Sequence, residues 1–415
     1  MTLAGVRGVG RTALRAAAGL LVAVLGACGG GAGSGSGVVN PPLPTGPNVA
    51  PILVDAGSAA LGFNEPSVSV TVCAPGTANC QTINHILVDT GSVGLRIFAS
   101  LLAPIALPPT TTAAGDPMYE CQLFADGYTW GSVRLADLQL ADGKAGNLPI
   151  QVIDDSSNPN PAAPADCAAA GNGPGVNTIG TFGENGVLGV GVFAQDCGSG
   201  CVGAAVPAYY YGCRAGGCVN AMVASLSAEV QNPVASFQTN NNGVVVVLPN
   251  IDSAGQASAN GALVLGIDTQ SNNQLGSASV LTADPATGRF TTLYNNQTLP
   301  ASLFDTGSSA YFFADPSLPA CTGGNAGLYC PATIQTLSAT NQGHNGASSA
   351  ISFKVTNGTA LLSAHPGYAA FLNVGGTNSG SQSFDWGLPF FYGRQVRIAI
   401  EGRATSAGTG PFYAY

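Results

Sequence analysis

The feature that most constrains this chain is an internal echo. Leu87-Val88-Asp89-Thr90-Gly91-Ser92 recurs as Leu303-Phe304-Asp305-Thr306-Gly307-Ser308, 216 residues further on. In both copies apolar residues run up to the Asp. A single Asp-Thr-Gly-Ser reads as an ordinary turn, because all four residue types favour turns. Two copies, each closing an apolar strand, point instead to two similar units that bring one Asp loop each to a common place.

Chemistry gives a reason for such a pair. Water can open an amide bond if one carboxylate takes its proton while a second carboxyl, still protonated, donates to the carbonyl oxygen. Two Asp side chains within about 3 Å cannot both ionise readily, so they share one proton and supply base and acid together. Asp89 and Asp305 are therefore the candidate catalytic residues. Thr90 and Thr306 are expected to lock the two loops by hydrogen bonds, Gly91 and Gly307 to allow a sharp turn behind each Asp, and Ser92 and Ser308 to hydrogen-bond the carboxylates.

The rest of the chain reads as all-β. It is 46% hydrophobic and only 8% charged, which excludes a disordered chain. Gly, Thr, Asn, Ser and Val fill the roles that Glu, Lys and Leu fill in helical proteins. Residues 67–72 alternate strictly between polar and apolar, and 83–88 follow after a Pro75-Gly76 turn, which predicts a hairpin. Further strands are expected at 131–140, 243–248, 262–267 and 395–400, and the best helix candidate is 219–230. The 12 basic residues face 21 acidic ones, and three of the Arg lie within the first 15 positions. A body that acidic is not drawn to phosphate backbones, so no nucleic-acid partner is expected.

The start of the chain reads as an address. Arg7, Arg11 and Arg15 precede an apolar run at 16–27 that is too short to span a bilayer and suits a secretion signal. It ends Leu25-Gly26-Ala27-Cys28, which resembles the lipobox of bacterial lipoproteins. That resemblance implies lipidation of Cys28 and anchoring in a bacterial cell envelope, and Gly29 in place of Asp implies the outer membrane. A Gly-, Ser- and Pro-rich stretch then reads as a flexible tether. The expected organisation is a signal at 1–27, a tether at 28–48, an N-terminal lobe with a Cys-rich insertion at 49–270 and a C-terminal lobe at 271–415.

With Cys28 set aside, ten cysteines remain in a chain bound for an oxidising compartment, so disulfides are expected. Close spacing suggests Cys73 with Cys80, Cys213 with Cys218 and Cys321 with Cys330. Cys121, Cys167, Cys197 and Cys201 leave three pairings open. No CxxC occurs, and His85, His344 and His365 lack ligand spacing, so neither a metal nor another cofactor is expected.

At the paired motifs the chain resembles the pepsin-like, bilobal aspartic proteases. The resemblance extends from about Val49 to Tyr415. The segment Phe124-Ala125-Asp126-Gly127 with Trp130-Gly131-Ser132-Val133 is similar to the flap hairpin that closes over substrate. Asn185-Gly186-Val187-Leu188-Gly189 and Asp385-Trp386-Gly387-Leu388-Pro389-Phe390-Phe391 are similar to the segments that thread behind the two catalytic loops, and 262–268 to the strand ending the first lobe. The resemblance implies two β lobes with a cleft between them, a peptide or protein substrate and a flap residue over the water. Phe124 stands where the family has a flap Tyr, with Tyr128 close by, and Arg96 stands where a Trp usually braces that Tyr. Asp385 replaces an apolar residue of the second threading segment. The region 154–218 reads as a large insertion in the first lobe.

Two functions follow as expectations. One is a membrane-anchored aspartic endopeptidase more active below neutral pH. The other is a non-catalytic surface lipoprotein whose cleft binds a peptide, a glycan or a protein partner.

Overall fold

The alternation at 67–72 becomes the strand Glu65–Cys73, which pairs antiparallel with Cys80–Asp89 and so delivers the first Asp at the end of a strand. A computed structural model describes residues 42–155, 161–378 and 382–415. The expected signal segment 1–27 and Cys28 lie outside the described residues. The end of the expected tether is not loose. Thr45 and Asn48 exchange hydrogen bonds with Asn272, Asn48 also donates to Leu265, and the Pro47 carbonyl accepts from Asp142, so the packed body begins near Thr45.

The fold is all-β and bilobal. Strand after strand carries an apolar face because Val, Ile and Leu alternate with small polar residues. One sheet of 15 strands builds the first lobe and runs on into the base of the second. Its seam is Gly243–Val247, paired on one side with Ala259–Leu265 and on the other with Gln395–Ala399 near the end of the chain. A separate sheet of seven strands carries the second lobe.

Each lobe repeats the same local device. In the first, Gly186–Val190 lies parallel to Cys80–Asp89 and antiparallel to Val93–Phe98, so it threads between the strands that flank the Asp89 loop. In the second, Asp385–Trp386 lies parallel to Gln297–Phe304 and antiparallel to Tyr311–Phe313 around the Asp305 loop. A threading strand on both flanks fixes where each loop can go.

Two expectations fail. The stretch 219–230 is not a helix. Gly217–Asn220 is the second strand of a hairpin stapled by Cys213–Cys218, and a single tight turn, Leu226–Ala228, follows. A helix there would have little to bury, since Val219 is 67% and Leu226 42% exposed. Nor is 154–218 one insertion. It contains the threading strand Gly186–Val190 and the strand Tyr210–Arg214, which extends the sheet by pairing with Met118–Phe124.

All ten described cysteines are bridged. The three close pairs form as expected, and the open set resolves into Cys121–Cys167 and Cys197–Cys201. The Cys121–Cys167 bridge ties the flap hairpin to residues between the strands.

Candidate active site

The two Asp-Thr-Gly loops meet head to head. The Thr90 hydroxyl donates to the Phe304 carbonyl at 2.9 Å and accepts from the Thr306 amide at 3.0 Å. The Thr306 hydroxyl donates to the Val88 carbonyl at 2.6 Å and accepts from the Thr90 amide at 3.1 Å. Each Thr thus satisfies one buried donor and one buried acceptor of the opposite strand, which would otherwise cost stability. The clasp has two-fold character because the two sequences are the same.

Within each loop the Gly amide turns back onto the carboxylate. The Gly91 amide donates to Asp89 Oδ1 at 2.8 Å and the Gly307 amide to Asp305 Oδ1 at 2.7 Å. Ser92 donates to Asp89 Oδ2 at 2.6 Å, and Ser308 lies 3.1 Å from Asp305 Oδ2. The glycines also hold the carboxyls together. A Cβ on Gly91 would fall 2.6 Å from the Asp305 carboxyl, and one on Gly307 would fall 2.8 Å from that of Asp89. Only a residue without a side chain lets each loop approach the other's Asp this closely.

Both carboxyls are buried, Asp305 completely. Burial, then the neighbouring Asp89, then Asp385 hold the Asp305 carboxyl well above the usual carboxylate range, although the Gly307 amide pulls the other way. Such a pair keeps one proton at pH values where a free Asp has lost it.

The flap hairpin is present, as the pairing of Met118–Phe124 with Gly127–Leu140. Phe124 does not stand free at its tip. It packs with Leu87, Phe98, Phe182 and Val187 behind the first catalytic loop. Tyr128 lies against Gly171 and Gly175 of the neighbouring loop. The hairpin residue that reaches the cleft is Gln122, which sequence reading passed over. It lines a cavity of about 240 Å³ together with Ser92 and Val93 of the catalytic loop, Asp196, and Pro285 and Glu401 from the other side.

Arg96 does brace the hairpin, by charge rather than by an indole. Completely buried, it donates to both carboxylate oxygens of Glu120, at 3.2 and 2.5 Å, and to Gln122 Oε1 at 2.6 Å. The same Nη2 that meets Glu120 and Gln122 also lies 3.4 Å from Asp196, and Asp196 accepts from the Tyr210 hydroxyl as well. Burial and Glu120 push Asp196 well above its ordinary range, and burial pushes Glu229 up to about 7. The signal in the sequence was an Arg within an apolar strand, which needs an acid to neutralise it.

Among the described residues, Asp55, His85 and Glu184 form the group whose ligand atoms come together, within 4.8 Å of one another. The imidazole Nδ1 lies 3.5 Å from Glu184 and 3.9 Å from Asp55. Two acids distant in sequence find one His, which spacing alone could not reveal.

What the fold and site define together is a two-lobed β protein whose cleft is floored by a clasped pair of buried Asp residues. The chain belongs to a family described as a protein of unknown function, DUF3443, matched over residues 44–415. No curated protein matches it. The solved structures to which it is similar include the aspartic proteinase from Irpex lacteus, at 16% identity and a TM-score of 0.48, over 88% of this chain and 96% of that one.

Proposed function

We propose that the protein is an aspartic endopeptidase, anchored by a lipid at Cys28 to the outer membrane of a bacterial cell envelope, that hydrolyses peptide bonds with a water activated between Asp89 and Asp305. The single observation that carries this reading is the clasp, in which each loop's Thr and Gly serve to bring the opposite carboxyl close. A turn that was merely structural has no need of a second buried carboxyl at its tip, where two acids cost stability.

In this mechanism Asp89, held by Gly91 and Ser92, takes a proton from the water. Asp305, holding the shared proton, donates to the carbonyl oxygen as the water attacks. The reaction uses only the two carboxyls and the water, with no covalent intermediate. One proton on the pair is required. It is lost as pH rises through the elevated range of Asp305, and a second is gained as pH falls, so activity peaks on the acidic side of neutral. The lipid anchor rests on the sequence around Cys28, and the tether before Thr45 would let the cleft reach substrates away from the membrane.

Incubating the soluble body with a diverse peptide pool from about pH 3 to about pH 8 tests this, with cleavage read by mass spectrometry. Cleavage that peaks at acidic pH and disappears in Asp89→Asn supports the reading. Silence at every pH from folded, disulfide-bonded protein overturns it. The second reading, a lipoprotein that uses the cleft to bind a peptide, glycan or protein, draws on the flap, where Phe124 is buried and Gln122 faces the cleft. Under that reading Asp305→Asn leaves ligand binding nearly intact.

A further inference from the structure

The Ser308 hydroxyl touches two carboxylates. It lies 3.1 Å from Asp305 Oδ2 and 2.6 Å from Asp385 Oδ2. A serine has one proton to give. Both contacts are full hydrogen bonds only when one of the two carboxyls is itself protonated and donates to the serine oxygen. The counterpart loop lacks this bridge. Leu87 pairs in register with Val187 where Leu303 pairs with Asp385, so an apolar, completely buried residue occupies the matching position in the first lobe.

Asp385 is itself buried, on a strand whose chain neighbours Phe384 and Trp386 are buried too and stack their rings on each other. A carboxyl in such surroundings is tolerated when it is neutral or paired. Resting on the reading of Asp89 and Asp305 as the working pair, we propose that Asp385 is a third working carboxyl, a positioning residue that exchanges a proton with Asp305 through the Ser308 hydroxyl.

The exchange is a balanced relay. The Asp385 O–H proton passes to Ser308 Oγ as the Ser308 proton passes to the ionised Asp305, leaving Asp385 ionised, Ser308 unchanged and Asp305 neutral. No other bond forms or breaks. Asp305 is thereby reloaded from inside the protein after it donates to a substrate carbonyl, and the reverse relay restores Asp385 when Asp305 recovers a proton. The charged and titratable groups around Asp385 are Asp305, with Asp89 beyond it, and Arg289, whose charge is felt by Asp385, Asp305 and Tyr413. Three acids beside one arginine release their last proton at a higher pH than two acids would.

Two readouts on the folded, disulfide-bonded protein test this. The first does not depend on activity: the protonated-carboxyl stretch in infrared difference spectra is followed through a pH titration. Over the signal of the other raised acids, Asp196 and Glu229, which all three proteins share, Asp385→Asn should show one neutral carboxyl fewer than the wild type in the mildly acidic range, and Ser308→Ala the wild-type number with Asp385 and Asp305 titrating separately. The second is the pH profile of kcat/KM. Its alkaline limb should move down by about one pH unit in Asp385→Asn, and not down in Ser308→Ala, which keeps the Asp385 charge and loses a donor to Asp305, with KM changed less than about twofold in both. An unchanged carboxyl count in Asp385→Asn, or coincident alkaline limbs for all three proteins, overturns the proposal. If the wild type cleaves nothing, the endopeptidase reading fails and the infrared count still decides the relay. If Asp385→Asn does not fold, Ser308→Ala, which keeps Asp385 and removes the hydroxyl that touches both acids, decides it by whether the two carboxyls titrate separately.

Discussion

The Asp89 and Asp305 loops share a sequence and a clasp, but they are backed by different materials. Behind Asp89 the threading strand offers Val187, packed with Leu87, Phe98 and Phe124. Behind Asp305 it offers Asp385, joined to the loop through Ser308. What is alike in the two lobes is what the geometry of a carboxyl pair demands: a Thr to reach across, a Gly to come close and a Ser to hold the acid. What differs bears on Asp305, since Asp385 is among the charges that raise its carboxyl. The first lobe places its own buried charges further out, in the Arg96, Glu120 and Asp196 group under the flap hairpin, where they shape the hairpin. The same device thus positions a carboxyl in both lobes, and in the second it sets a further acid beside it.

The comparison breaks most sharply at the carboxyls. Asp89→Asn and Asp305→Asn should each lower kcat/KM by about 10³-fold, because the two act as a unit. A peptide assay in which only one of them matters would end the claim of a shared site. Next in size are the glycines. Gly91→Ala and Gly307→Ala each drive a methyl into the opposite carboxyl and should cost about 10²-fold in kcat with the fold retained by circular dichroism.

The clasp should respond evenly. Thr90→Val and Thr306→Val each strand a buried amide and a carbonyl of the other lobe, and denaturant titration should show a loss of about 1–3 kcal/mol for each. A large loss on one side alone would show that the two-fold character is superficial. The smallest effect is on the pH dependence of stability. Asp305 is raised in the folded state, so the native protein holds a proton that the unfolded chain releases. That stability is complete below the ordinary Asp range and fades as pH rises toward the elevated value. Asp305→Asn should flatten the fall of Tm with pH. In the first lobe Glu229→Gln should do the same between roughly pH 4.5 and pH 7, and more weakly, since the Cys197 and Gly198 amides already favour its charged form.

Much of this was legible in the chain. The doubled Asp-Thr-Gly-Ser placed both carboxyls and the clasp, because reciprocal bonds between identical loops follow from the repeat itself. Period-two alternation and short apolar runs located the strands around 67–72, 83–88, 131–140, 243–248, 262–267 and 395–400, and the close Cys pairs formed as their spacing suggested. The flap was less legible. The resemblance placed Phe124 near its tip, but how far each hairpin side chain reaches depends on the packing beneath: Phe124 and Gln122 share one face of their strand, where Phe124 packs with Phe98 and Phe182, and Gln122, held by Arg96, reaches the cavity. The stretch 219–230 misled because its apolar residues stand on a disulfide-stapled hairpin and an exposed loop, where helical spacing has nothing to pack against. Asp385 stood out as an acid at an apolar position, but its reach to Ser308 needs the parallel pairing of Leu303 with Asp385, a contact between segments more than 80 residues apart.

The most direct measurement is neutron diffraction from crystals of the deuterium-exchanged protein at mildly acidic pH, which locates the protons on the carboxyls themselves. A single deuteron held between Asp89 and Asp305, with both Thr hydroxyls donating across the clasp, is the expected result. Two fully ionised carboxylates, or carboxyls drawn apart with water filling the gap, would contradict it.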